Sequence, residues 1–391
     1  MRRGMLVVLA GALASVPAAA APFIPADDAQ VLERLPFKPT DPGISELMLL
    51  RVRLAQQPDS LPVAVELARR YLELGRVSGD PRYSGYAQAA LGPWWALRDP
   101  PRDVLVLRAT LRQRVHQFDA ALEDLALALK RDPRDAQARL TRATVLQVRG
   151  DFEGARSDCQ ALRPVTREII WAACLASVDG SNGRLRESYT WLRELVAQSR
   201  DMQPGMQAWL LTGLGEMAAR AGLVRDADGH FRDALAADPS DQYLLAAYAD
   251  FLLDTGRPQA AARLVKDRTQ ADGLLLRYAL ALRALGSRET VSRVDELRAR
   301  FDASRMRGDR VHLREEARFA LHLERRVSAA LELARENWTV QKEPADARIL
   351  LEAASAAGDE ATLRALRAWI DASRLEDGRL EHVIGAPHPG G

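Results

Sequence analysis

At 391 residues the chain is too long for one ordinary hydrophobic core, and its 55 basic and 53 acidic side chains carry no excess that would point to nucleic acid. Aromatic residues make up 6% and charged residues 28%, a balance that suits helices with one apolar and one mixed-charge face. The six histidines form no HExxH pair and the two cysteines belong to no CxxC or haem-attachment motif, so no metal or cofactor is expected.

Residues 1–20 read as a cleaved secretory signal, with Arg2 and Arg3 as the basic start, an apolar run from Met5 to Leu13, and Ala18-Ala19-Ala20 as the cleavage site. The alternative is an uncleaved anchor, but the apolar run falls well short of the ~20 residues a span needs. No cysteine follows the cut, so a lipid anchor is not expected. The signal implies a periplasmic protein, or alternatively a secreted one, with no integral membrane span once it is removed.

Residues 21–60 form a proline-containing leader (Pro22, Pro25, Pro36, Pro39, Pro42), in which Leu47, Leu50, Val52 and Leu54 are spaced for one helix between Ser45 and Gln57. A helical array then occupies 61–266. In its first hairpin, helices near Val63–Leu74 and Tyr83–Leu91 flank a turn stretched from Gly75 to Pro81. Tyr83, Tyr86, Trp94 and Trp95 beside that turn are either a secondary binding surface or a cap over the first helices.

The sharpest repeats lie at 103–164 and 208–266. Phe118, Asp119, Ala121 and Leu125 recur 34 residues later as Phe152, Glu153, Ala155 and Cys159, and Ala109 recurs as Ala143. Leu211, Gly215, Gly222, Ala227 and Phe231 recur at the same spacing as Leu245, Ala249, Gly256, Ala261 and Val265. Asp132-Pro133 and Asp238-Pro239 close the first unit of each pair, and a weaker unit at Ile169–Val196 lies between them. This period, with small residues at fixed points, resembles the tetratricopeptide repeat family.

The resemblance implies an all-α, right-handed α-solenoid of stacked helix-turn-helix hairpins whose first helices line a concave groove for a protein or peptide partner. One helical face from the packing alanines, the groove positions would be Val106, Thr110 and Gln113, then Leu140, Thr144 and Gln147, then Thr212, Glu216, Ala246 and Asp250. The Lys and Asn with which some members hold a terminal carboxylate are absent here. A neutral to mildly acidic groove, suited to an apolar or basic segment, is therefore expected.

Residues 267–372 read as degenerate hairpins completing the array, about nine in all, and 373–391 as a flexible tail. Arg298 to Arg326 holds nine arginines and five acids, expected to form a solvated face of i, i+4 pairs rather than a site for an acidic partner. His312 and Glu316 share a face and are expected to bond each other. With no phosphate loop and no Gly-x-Ser-x-Gly elbow, no enzyme is expected. Cys159 and Cys174 lie about seven residues either side of a midpoint near Val165, on antiparallel helices, so an oxidising compartment allows a disulfide. Direction around each helix is not fixed by that argument, and two buried thiols are the alternative. The reading is a periplasmic interaction scaffold or assembly factor; the alternative is a regulatory subunit of a cell-envelope enzyme such as a cell-wall synthase.

Overall fold

Helix after helix turns back on its predecessor from Leu61 to Ser373, because each amphipathic segment has one apolar stripe and must bury it on a neighbour. The computed structural model describes Asp27, residues 42–199 and residues 201–380. The signal at 1–20, most of the leader before 42, and the tail from 381 lie outside the described residues. Residues 46–391 form a unit separate from residues 1–45, and the contacts described below are those of that unit.

A first helix, α1 (Pro42–Gln56), precedes nine hairpins among the described residues. They are α2 (Leu61–Ser78) with α3 (Arg82–Ala90), then, after the short α4 (Gly92–Trp95), α5 (Arg102–Arg114) with α6 (Phe118–Arg131) and α7 (Ala136–Val148) with α8 (Phe152–Ala161). Next come α9 (Glu168–Asp179) with α10 (Leu185–Gln198), α11 (Pro204–Arg220) with α12 (Val224–Ala237), and α13 (Gln242–Asp254) with α14 (Pro258–Val265). The array ends with α15 (Asp272–Ala284) and α16 (Thr290–Met306), α17 (Leu313–His322) and α18 (Val327–Val340), and α19 (Pro344–Ala357) and α20 (Glu360–Ser373). No strand occurs among the described residues, and the expected all-α array of stacked hairpins is the architecture found.

The repeat register marks where helices touch. Ala109, Ala121, Ala155, Ala227 and Ala261 have no exposed surface. Volume is balanced across each contact: a Cβ built on Gly215 would meet the Phe231 ring at 2.9 Å, whereas 34 residues on Ala249 packs with the smaller Val265. The glycine is there to admit the ring. A second device repeats in the first matched pair: Asp124 accepts two hydrogen bonds from Arg108 (2.9 and 2.7 Å), and Asp158 accepts two from Arg142 (2.6 and 2.7 Å). Arg112 also reaches Asp124, and Arg139 reaches Asp158, so each buried carboxylate is held by two arginines of the preceding helix.

Three local expectations are corrected. The turn of the first hairpin is not stretched from Gly75 to Pro81, because α2 continues to Ser78 and only Gly79 to Pro81 link it to α3. Gly75 serves a close approach, with Tyr83 Cβ 3.2 Å from where its own Cβ would stand, and Gly79 at φ +68° ends the helix. In α1, Leu47 and Leu50 are buried as expected, but Val52 is exposed. The start of the tail, 373–380, is packed: Leu375 and Leu380 join the core of the last hairpins, and Ser373 O accepts from Asn182 Nδ2.

Replacing Ala155 by Leu should overpack the α7–α8 contact and cost about 1–3 kcal/mol, and Gly215→Ala should also destabilise by pushing the Phe231 ring. Thermal unfolding checks both; a melting temperature equal to that of the parent protein for Ala155→Leu would show that the helices do not meet there.

Candidate functional site

The first helices of distant hairpins face one another. Arg318 of α17 donates to Asp250 of α13 at 2.9 Å, across 68 residues of sequence, and Arg348 of α19 donates to Asp254 of α13 at 2.7 Å, across 94. The two contacts fix an inner face to which α11, α13, α17 and α19 all contribute. Arg277 of α15 adds a bond to Asp250 at 2.6 Å, and Arg348 also bonds Glu352, which accepts from His322 at 2.9 Å.

The ten groove positions divide. Val106 packs inside the α5–α6 core, and Thr212 is buried with its hydroxyl donated to Ala208 O, so neither is available to a partner. Their helices carry apolar contacts on more than one side, and the stripe chosen from the sequence includes a core position in each. Thr110 is half-buried with its hydroxyl turned back to Val106 O, and Gln113 and Leu140 are half-buried. Thr144 is exposed, and Gln147 donates to Ser177 Oγ at 3.0 Å. Asp250 is occupied by its two arginines, and the Ala246 carbonyl accepts from Arg277 Nε. Glu216 accepts from the Tyr243 hydroxyl at 2.8 Å.

Two residues absent from that set define the face better. Trp209 and Tyr243 stand 34 residues apart, one helical turn before Thr212 and Ala246, with 52% and 61% of their surface exposed. The signal was in the repeat alignment, as two aromatic residues at one register position of a first helix. Burial raises the Glu216 carboxyl above its usual range, opposed by the Tyr243 hydrogen bond, and the neighbouring Glu216 charge drives the Tyr243 hydroxyl well up. Both effects favour the neutral phenol donating to the carboxylate.

The groove is not simply neutral to mildly acidic, as expected, but a lattice of paired charges. Its source is the Arg298–Arg326 stretch, whose arginines tie hairpins together rather than forming a solvated face of i, i+4 pairs. Arg298 reaches Glu324, Arg300 reaches Asp272, Arg310 reaches Glu336, and Arg314 reaches Glu343 and Asp346. Glu316 bonds Arg305 instead of the expected His312. His116, at φ +58° in the α5–α6 turn, stacks on Phe118 and accepts from Gln341 Nε2 at 2.9 Å.

The secondary aromatic group is split. Tyr83 and Tyr86 cluster with Tyr71, while Trp94 and Trp95 lie half-buried against the core of the first hairpin, as a cap would. Cys159 of α8 and Cys174 of α9 are placed as a disulfide with Cα atoms 5.5 Å apart, within the range such a bond needs. Among the described residues no group of His, Cys, Asp and Glu is arranged to hold a metal, and no helix is long and apolar enough to cross a membrane.

The inner carboxylates set the pH response. Burial alone would raise Glu352, but the His322 hydrogen bond and Arg348 hold it down at about 2, and Arg277 and Arg318 likewise outweigh burial to depress Asp250. Groups with a depressed folded pKa contribute stability above their unfolded value near ~4, and lose it as pH falls through the folded value. Asp346 has the opposite sign: burial lifts it to about 6 against Arg314, so its ionisation costs stability above that pH, and the cost is relieved on acidification. Stability should therefore rise from pH 7 to about 5 and fall steeply below ~4. Asp250→Asn, which leaves Arg277 and Arg318 without their shared carboxylate, should cost about 2–3 kcal/mol at pH 7 and blunt the acid fall. Urea titration at three pH values measures both, and an unchanged midpoint at pH 7 would rule the tie out.

No family model and no curated protein matches the sequence. Among solved structures the chain is similar to the APC/C hetero-tetramer Cut9-Hcn1, at 14% identity and a TM-score of 0.43, over 80% of this chain and 52% of that one. It thus spans about half of that chain's length. It is also similar to a tetratricopeptide repeat protein from Parabacteroides merdae, at 12% identity and a TM-score of 0.28, over 80% of this chain and 92% of that one. The assignment as a tetratricopeptide-like array rests on the chain itself, on two in-register 34-residue pairs and consecutive packed hairpins.

Proposed function

We propose that this chain is a protein-interaction scaffold of the cell envelope, without turnover of its own, which holds an extended segment of a partner along its inner face. The observation that carries the reading is the exposure of Trp209 and Tyr243 at equivalent points of successive first helices. Large rings left in water on a face whose charges are otherwise paired are the residue types on which binding energy concentrates. Glu216 beside Tyr243 adds an acceptor for a donor or basic group of the partner, while the paired charges around Asp250 give register more than affinity. Export is supported by the signal-like start and by the placement of the two cysteines.

Trp209→Ala with Tyr243→Ala should weaken capture of the partner from a periplasmic extract by about a hundredfold, with helicity unchanged by circular dichroism. Thr144→Lys, on the same face of α7, should weaken it less. A folded double variant that retains the same partner in full would move the binding site elsewhere. Thiol titration of the denatured, unreduced periplasmic protein should find no reactive thiol per chain; two would refute both the bridge and the support it lends to export.

A further inference from the structure

Away from the inner face, α1, α2 and α3 enclose a crevice of about 400 Å³ between Leu54, Tyr71, Tyr86, Ala89 and Pro93, with Arg51 at its rim. Its walls are apolar because α1 sits on the first hairpin with only part of its stripe. Leu47 and Leu50 are buried, while Met48, Leu49 and Val52 on the other side of α1 each leave about half of their surface in water, and Tyr86 does the same on α3. Scattered apolar residues need no explanation, but a contiguous set around a concavity marks a place where something docks.

Charge indicates what docks. Across this molecule arginines are held by carboxylates, as in the ties of Arg76, Arg108, Arg142, Arg314, Arg318 and Arg348. Arg51 has none among the described residues, and its one hydrogen bond is a weak contact to Met48 Sδ at 3.7 Å. It stands close enough to Tyr71 for its charge to oppose the effect of burial on that hydroxyl, so the guanidinium faces the mouth of the crevice. Pro58 and Pro93 border the same crevice and offer no amide donor, so the groups left to recognise a ligand are the Arg51 fork, the Tyr86 hydroxyl and apolar surface.

We propose that this crevice is a second docking site, for an acidic amphipathic segment of a partner protein, with an apolar side chain seated between Leu54, Tyr71 and Ala89 and a carboxylate one helical turn away on Arg51. A helix or short turn of alternating acidic and apolar residues presents both groups at the needed spacing, and Arg51 holds a carboxylate through two parallel hydrogen bonds. A concavity with one cation at its rim fits such a segment better than it fits a flat anionic bilayer, which is recognised by several basic residues together. The site is independent of the inner face.

The test uses the full chain and random twelve-residue peptides displayed on phage, followed by fluorescence anisotropy with the enriched peptides made synthetically. Enriched peptides should carry Asp or Glu within one turn of a Leu, Phe or Ile. Arg51→Glu should weaken them about tenfold or more, as should Ala89→Trp, which fills the crevice from an exposed position. Trp209→Ala with Tyr243→Ala should leave their affinity unchanged, which separates failure of this site from failure of the inner face. The proposal is overturned by absence of enrichment, by enriched peptides without acidic residues, or by equal binding to Arg51→Glu. It is overturned equally by Arg51-dependent binding to phosphatidylglycerol vesicles with no peptide binding, which would make the surface a lipid contact.

Discussion

Everything in this chain depends on two helices being able to touch at a residue no larger than alanine. Where Ala109 and Ala121, or Ala143 and Ala155, occupy the crossing, the backbones approach and the flanking leucines and phenylalanines close over the contact. The constraint acts on summed volume rather than on one position, so Phe231 is matched by Gly215 and Val265 by Ala249. A repeat can drift far in sequence and keep its geometry if both sides of the crossing drift together. That is how the hairpins after residue 266 stay helical while the family-like pattern fades.

Charge has a separate task. The near-equality of basic and acidic residues comes from pairs that span elements rather than from solvated faces. The buried pair of Arg108 with Asp124, repeated as Arg142 with Asp158, lies within a hairpin, where desolvation offsets much of the attraction; its contribution is to fix the rotation of one helix against the next. The ties of Arg318 and Arg348 lie between hairpins far apart in sequence and hold the inner face at one width. Trp209 and Tyr243 are then the parts of that face not already committed to the chain's own charges.

Local order was legible in the sequence because it is local. A period of 34 gave the hairpins, and small residues gave the crossings. Failures occurred where the deciding neighbour was distant or where one residue type serves two ends. Gly75 reads as a turn and is in fact a point of close approach to Tyr83; Leu375 and Leu380 read as part of a tail because the core that receives them is made by other hairpins. Arg318 could be seen to be charged, but not that Asp250 is its partner, since no pattern within one helix connects residues 68 apart. Val106 was assigned to the groove because α5 buries two sides, and a single stripe of the helix does not say which side a partner sees.

The backbone bond from Lys342 N–H to Val148 O, with Asn182 donating to Ser373 O and Glu376 accepting from Leu185 N–H, joins the last hairpins to those near the start. Stacked repeats ordinarily interact only with their neighbours, so that folding spreads along the stack and either end can fray alone. Here loops of nearly two hundred residues are closed by native contacts, which raises the mean separation of contacting residues and slows folding, as it does in β proteins. The same closure makes the ends mutually dependent. The array should melt as one cooperative body instead of peeling from a terminus, and a nascent chain emerging from the ribosome would lack the contacts that complete its first hairpins until the last have been made.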